Sequence, residues 1–282
     1  MDPEYEAHLE LGEWWRRPPY AIRTEIYTPY RGEGLRPINA KTNVLVSTGK
    51  QQPIRYDPAE QAQQLLTVLL DVAQQKAKPV EFANRFGLLG YNYLVPEQNK
   101  CSGGDPLPWF MAHVYTVYVL ATLTTRIRDA KEQQRTEKLR QYLAKDIPLG
   151  PYALGGQVTN IYLRTGSTKP VLAALGILRY LLNANLDGTG YQLRLTGHGL
   201  NNFFSFRCLS QVIYWQLANQ IGKGSIHRCL ECGRVFSCSN PRTKFCLTAP
   251  GKKSSTCGSR YNMRKQRKRL KHSRRKKRWV KK

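Results

Sequence analysis

The sequence predicts a mainly α (α+β) protein: a helical body with a small β element, followed by a C-terminal four-cysteine zinc finger and a basic helix or tail. Three observations carry that expectation. Apolar residues recur at helical spacing through several stretches of the body. Four cysteines between Cys229 and Cys257 have the spacing of one metal site. The formal charge of +26 is gathered at one end: residues 227–282 hold 20 Lys or Arg and one acidic residue, which leaves only +7 for the rest. At 282 residues the chain is long enough for one large or two modest domains. The expected division is a body over 1–225, a finger over 226–262 and a basic extension over 263–282.

Residues 1–36 mix Trp14-Trp15, Arg16-Arg17 and Pro18-Pro19 with scattered tyrosines, and the tryptophan pair reads as pinning an arm onto the core. Asn43 to Thr48 reads as a short strand ending at Gly49. Asp57 caps the first helix, with Pro58 at its first position and Glu60 three residues after the cap. Ala62, Leu65, Leu66, Leu69, Val72 and Ala73 carry it to about Lys76. Pro79 opens a short helix, Val80 to Phe86, stopped by Gly87. Glu97 to Pro108, with Cys101 and Gly103-Gly104, reads as the most mobile loop of the body, and Cys101 as a surface thiol without a basic neighbour.

Pro108 to Lys145 is the longest helical pattern, apolar in its first half and charged in its second, and reads as one helix, or a pair broken near residues 129–133, that leaves the core and exposes a face. His113 reads as a satisfied core histidine, since no carboxylate recurs one turn away. Residues 151–166 read as a strand or hairpin. Their Gly155-Gly156 pair lacks the frame of a nucleotide-binding loop, so the chain has no motif for ATP. Pro170 to Asn185 is a central helix, Tyr191 to Thr196 a strand, and Phe203 to Ile221 the last body helix, with Cys208 in its core.

Cys229-Leu230-Glu231-Cys232-Gly233 places two thiolates on one tight turn, and Cys246 and Cys257 complete four ligands for Zn2+. Redox chemistry at a Cys-x2-Cys pair needs no third and fourth cysteine. Cys238 lies inside the loop and could replace Cys246. Cys246 is preferred because it follows the apolar Phe245, whereas Cys238 sits in a polar Ser-Cys-Ser stretch.

The run Arg228-Cys229-x2-Cys232-Gly233-Arg234-x-Phe236, then Arg242-x3-Cys246 and Cys257-Gly258-Ser259-Arg260-x3-Arg264-x2-Arg267, resembles the CGNR-type zinc finger of bacterial putative transcriptional regulators. The likeness covers about 40 residues. It implies that Cys229, Cys232, Cys246 and Cys257 are metal ligands and that Arg260, Arg264 and Arg267 lie on a basic helix after the last cysteine. The chain departs from the pattern at Ser259, where the family has Asn, and in a longer Cys246–Cys257 interval containing Pro250-Gly251-Lys252-Lys253.

Tyr261 to Lys271 lacks Pro and Gly and continues as a helix from Cys257, with Arg260, Arg264, Arg267 and Lys271 on one side and Lys265, Lys268 and Arg269 widening the stripe. His272 to Lys282 is expected to order only on a partner. Such a run repels itself unless a polyanion compensates it, so nucleic acid is the expected partner, double-stranded DNA first and RNA second. The contacting residues are expected to be Arg234, Arg242, Lys244, Lys252, Lys253, Arg260, Asn262, Arg264, Lys265, Arg267, Lys268, Lys271, Arg274 and Arg275, with Arg260, Asn262 and Arg264 the ones that reach base edges.

The expected function is a DNA-binding regulator. The alternative is a zinc-containing subunit of a larger nucleoprotein complex, its helical body meeting protein partners, and less so a nuclease. An enzyme would need an open metal position or a nucleophile with its base, and neither pattern occurs, so no catalytic or small-molecule site is expected. No 18-residue apolar stretch and no lipidation signal were found to suggest a membrane, and the acidic N-terminus is unlike a secretory signal. Retained thiols fit a reducing bacterial cytoplasm or nucleoid.

Overall fold

The computed structural model of the chain describes residues 8–9, 15–16, 19–27, 40–48, 54–55, 62–90, 104–133, 136–146, 169–196, 199–238, 240, 242–246 and 255–279. Two units form, Met1–Asn219 and Gln220–Lys282.

In the first unit, strand formation centres on Val44, Leu45 and Val46, all buried in β4. With β1 (His8–Leu9), β2 (Trp15–Arg16), β3 (Tyr20–Tyr27), β4 (Ala40–Ser47), β5 (Ile54–Arg55) and β6 (Gly104–Pro106), the chain builds a three-stranded sheet in the order β3-β4-β6 and a two-stranded β2-β5 pair. β3 runs antiparallel to β4 from Tyr20 opposite Ser47 to Tyr27 opposite Ala40. A run of β-branched and aliphatic side chains covered on both faces is what a central strand requires.

Gly104 closes that sheet. A Cβ at this position would lie 2.6 Å from the Leu45 carbonyl oxygen and from the γ-methyls of Val44 and Val46, so only glycine lets β6 approach β4. Asp105 follows, buried, and its carboxylate accepts the Leu89 N–H at 2.5 Å and the Gly90 N–H at 3.2 Å. Residues 104–106, expected in a mobile loop, are therefore a pinned strand. The rest of that loop, Cys101 included, lies outside the described residues.

Helices supply most of the core. α1 (Ala62–Ala73) buries Leu65, Leu66, Leu69, Leu70 and Val72, and α2 (Pro79–Phe86) buries Phe82 and Phe86, ending at Gly87 in the left-handed region (φ 87°). The capping residues expected at Asp57, Pro58 and Glu60 lie outside the described residues. α3 (Leu107–Gln133) is the longest body helix, and its Phe110 ring packs on Phe82 at 5.7 Å. α4 (Thr136–Gln141) continues into a wider π-helical turn, Tyr142–Asp146. α3 is helical through Gln133, so no break falls in the expected window of 129–133, and residues 134–135 between α3 and α4 lie outside the described residues. α3 is, by length and composition, apolar enough to cross a bilayer, which corrects the expectation that no such stretch exists. Its apolar character has a role inside the body, since Phe110, Val114, Val117, Val119, Leu120 and Leu123 are all buried.

α5 (Pro170–Leu186) and the hairpin β7 (Gly190–Thr196) and β8 (Gly199–Ser205) follow, with β1 pairing parallel to β8. β8 corrects the sequence reading, which began the last helix at Phe203. α6 (Leu209–Gly222) starts six residues later, after Gln211 Oε1 accepts the Arg207 N–H at 2.7 Å and its Nε2 donates to the Asp187 carbonyl at 2.9 Å. β3 was likewise unexpected. Trp15 lies in β2, and its side chain, like the hairpin proposed for 151–166, is outside the described residues. The mainly helical body with a minor β element stands.

The second unit contains β9 (Ile226–Arg228), β10 (Val235–Ser237) and the final helix α7 (Thr256–Trp279). α7 continues beyond His272 where disorder was expected. Its residues include no Pro and only Gly258 near the start, so nothing in the backbone interrupts the helix.

Candidate metal centre and basic helix

β9 and β10 pair antiparallel, Phe236 opposite His227, and the chain between them makes a tight knuckle. The Cys229 N–H donates to the Arg234 carbonyl at 2.8 Å, and the Gly233 N–H returns to the Cys229 carbonyl at 2.9 Å. Gly233 has φ 73°, a conformation a side chain would strain, so glycine at this point sets Cys229 and Cys232 on one turn. Arg228 Nε donates to the Gly233 carbonyl at 3.3 Å and braces the turn from outside.

The Leu230 N–H donates to the Lys244 carbonyl at 3.0 Å, drawing the 242–246 segment over the knuckle and delivering Cys246. Cys257 is the second residue of α7. Ser255 caps that helix, its Oγ accepting the Gly258 N–H at 3.0 Å and its carbonyl accepting the Ser259 N–H at 3.0 Å. Phe245 packs on Tyr261 with ring centroids 5.2 Å apart. A Cβ on Gly258 would come 3.1 Å from the capping Ser255 Oγ, which would have to give slightly, and would meet the Phe245 ring at an ordinary contact distance of 3.4 Å.

These three backbone devices bring the sulfurs of Cys229, Cys232, Cys246 and Cys257 within 4.8 Å of one another, with Cys232 and Cys246 3.4 Å apart. Thiolates held about 2.3 Å from a tetrahedral ion are about 3.8 Å from each other, so the cluster fits a metal ion. The cysteines are free thiols. Cys238 is outside the set: it is buried, its sulfur lies 3.4 Å from Thr243 Oγ1, and its N–H donates to the Ser225 carbonyl at 2.9 Å. Cys246 is the third member of the cluster. Among the described residues no other group of His, Cys, Asp or Glu could hold an ion.

The thiols differ without metal. Burial pushes the Cys229 thiol up, but N–H groups of Cys232, Glu231 and Cys246 directed at its sulfur outweigh that and bring it down to about 7. Burial, reinforced by the neighbouring Cys232 and Cys229 sulfurs, raises Cys246 and Cys257. The knuckle therefore brings Cys229 part of the way to its thiolate form in advance.

Arg260, Asn262, Lys265, Arg267 and Lys268 are exposed on α7. Arg264, also exposed, pairs with Glu231, the sole acidic residue of the second unit, which ties the helix back to the knuckle. Arg242 and Lys244 are exposed on the approach to Cys246, and Arg234 is half-buried beside the knuckle. Lys271, Arg274 and Arg275 lie within the span of α7 with side chains outside the described residues, as are Lys252 and Lys253 altogether. The Glu231–Arg264 pair and the Ser255 cap escaped sequence reading. The Ser-x2-Gly spacing before the basic run signalled only the cap.

In the body, His113 Nδ1 lies 3.0 Å from Tyr214 Oη and its ring 4.3 Å from Trp109, and burial lowers its pKa to about 4, so it is a neutral, partnered core histidine. Cys208 is buried, 3.1 Å from Ser210 Oγ, with its thiol raised by burial.

No known protein family, curated protein or solved structure matches the chain, so what stands of the likeness to the CGNR-type finger is the four-cysteine cluster near the C-terminal end, capable of holding a metal.

Proposed function

We propose that the chain is a nucleic-acid-binding protein, a DNA-binding regulator, in which Zn2+ on Cys229, Cys232, Cys246 and Cys257 fixes the start of a basic recognition helix. Zinc, when bound, supplies a cross-link between three chain segments and offsets thiolate charge. Four thiolates leave it no open position, which supports a structural and non-catalytic role. The observation that carries the reading is α7 itself: from Thr256 to Trp279 it holds 12 Lys or Arg and no acidic residue, and its side chains from Met263 to Leu270 are all exposed. A solvated helix of this charge has no relief from i,i+4 acidic partners, and a phosphate backbone supplies it. Arginine adds paired hydrogen bonds to phosphate oxygens. Free thiols at the metal site agree with a reducing compartment such as the cytoplasm.

The test is fluorescence anisotropy of the full chain on a 20-base-pair DNA duplex between about 50 and 200 mM salt. If the exposed Arg260, Lys265, Arg267, Lys268 and Arg269 each neutralise one phosphate, the slope of log K against log salt is about −4.5. Arg267→Glu with Lys268→Glu flattens that slope by about two and weakens binding at least tenfold at low salt. A wild-type chain that ignores duplex DNA at low salt, or a double variant that binds as tightly as wild type, ends the proposal.

A further inference from the structure

From Asn262 to Leu270, α7 is not basic all round. At about 100° per residue, Cys257, Tyr261 and Arg264 fall within about 60° of one another, and this is the face that meets the knuckle through the thiol cluster, Phe245 and Glu231. Diametrically opposite, within about 100°, lie Asn262, Met263, Gln266 and Leu270. All four are exposed, Met263 at 50% and Leu270 at 61%, and all are uncharged. Lys265 and Arg269 line one edge of this stripe, and Arg260 and Arg267 line the other.

Resting on the nucleic-acid reading above, we infer that Asn262, Met263, Gln266 and Leu270 form the base-reading face of α7, and that its ligand is the major groove of double-stranded DNA at a short A·T-containing site. The cross-section is complementary: a neutral floor of base edges between two anionic strands meets a neutral stripe between two cationic edges. Asn and Gln are the side chains that pair in a bidentate manner with adenine N6 and N7, and apolar side chains contact the thymine methyl. The stripe rises about 12 Å from Asn262 to Leu270, the height of three to four base pairs. A helix about 10–12 Å across fits the B-form major groove, whereas the A-form groove of duplex RNA is too deep and narrow to be read. A second copy of the helix would set Lys265, Arg267 and Arg269 against their own kind, which disfavours self-pairing. The reading face thus moves away from Arg264, which Glu231 engages, to Asn262 and Gln266.

The test is selection of a randomised DNA duplex pool with the full-length, zinc-loaded chain, followed by anisotropy on the enriched and the random duplex. An enriched motif of about three to five base pairs with A·T content is expected. Asn262→Ala and Gln266→Ala each lower the enriched-to-random affinity ratio by about tenfold, with helicity and zinc content kept as in wild type. Lys265→Ala with Arg267→Ala weakens both duplexes alike and leaves the ratio in place. Salt-dependent duplex binding without an enriched motif overturns this inference and leaves the proposed function standing, as does a motif whose ratio neither variant changes. Equal or tighter binding to duplex RNA, or a protein ligand captured by the stripe in place of DNA, overturns it. Failure to bind any duplex overturns both.

Discussion

Replacing Cys246 by Ser, beside Cys238→Ser as its partner experiment, asks which sulfur completes the centre. Cys246 Sγ stands 3.4 Å from Cys232 Sγ inside the four-sulfur set, whereas Cys238 Sγ is held against Thr243 and contributes nothing to that set. Structural zinc in small four-ligand modules binds with about 10–16 kcal/mol, so one thiolate of four carries roughly 3 kcal/mol, about two orders of magnitude in Kd. Competition of the full chain against a chromophoric zinc chelator at neutral pH measures this directly. Cys246→Ser is expected to weaken zinc binding about a hundredfold. Cys238→Ser is expected to change it by less than about threefold, its buried thiol being exchanged for a slightly smaller hydroxyl beside Thr243. Wild-type zinc affinity in Cys246→Ser would refute the geometry, and a matching loss in Cys238→Ser would reassign the ligand.

Two further outcomes follow from the same centre. Cys246 and Cys257 are raised and hence protonated at pH 7, while Cys229 sits at about 7, so zinc binding at that pH releases two protons from the first pair and about half a proton from Cys229. Affinity accordingly rises with pH, and in the metal-free chain the depressed Cys229 contributes stability that is lost as pH falls through about 7. Calorimetry in buffers of different ionisation enthalpy counts the protons, and release of fewer than one contradicts the assignment. Ser255→Ala removes the hydroxyl that accepts the Gly258 N–H and costs the first turn of α7 about 1 kcal/mol, read as faster amide exchange at Gly258. Unchanged exchange there removes Ser255 from the helix start.

The metal centre was legible because its signal is local. A Cys-x2-Cys-Gly turn, an aromatic-Cys pair and a cysteine opening a Pro-free run each declare themselves within a few residues, and tertiary structure had only to bring three short segments together. Choosing Cys246 over Cys238 by the apolar Phe245 worked because that ring is what packs the return segment onto Tyr261. The strands were harder. β3, Tyr20-Ala-Ile-Arg-Thr-Glu-Ile-Tyr27, alternates as a half-buried strand should, but it follows a Trp, Arg and Pro-rich stretch that drew attention to an arm. β8 contains Asn201-Asn202, poor strand formers, and owes its form to its partners on both sides, the seven-residue β7 and the two-residue β1, rather than to its own propensity. Gly104 looked like loop chemistry, and only its approach to Leu45 showed that it was sheet chemistry. On α7 the composition raised the expectation of a polyanion partner, but a tally of charges is blind to direction. The neutral stripe emerged once the knuckle fixed which side of the helix was already occupied.

Over its described side chains, α7 is held near its start, through Cys257, Tyr261 and Arg264, and this has a mechanical consequence. A 24-residue helix is about 36 Å long, and from Met263 to Leu270 every side chain is already in solvent. From Cys257 to Leu270 the helix is a lever of about 20 Å, so a tilt of about 10° at Cys257 sweeps Leu270 through roughly 3.5 Å. Small adjustments around the four sulfurs are thereby magnified along the rod while its root stays nearly still.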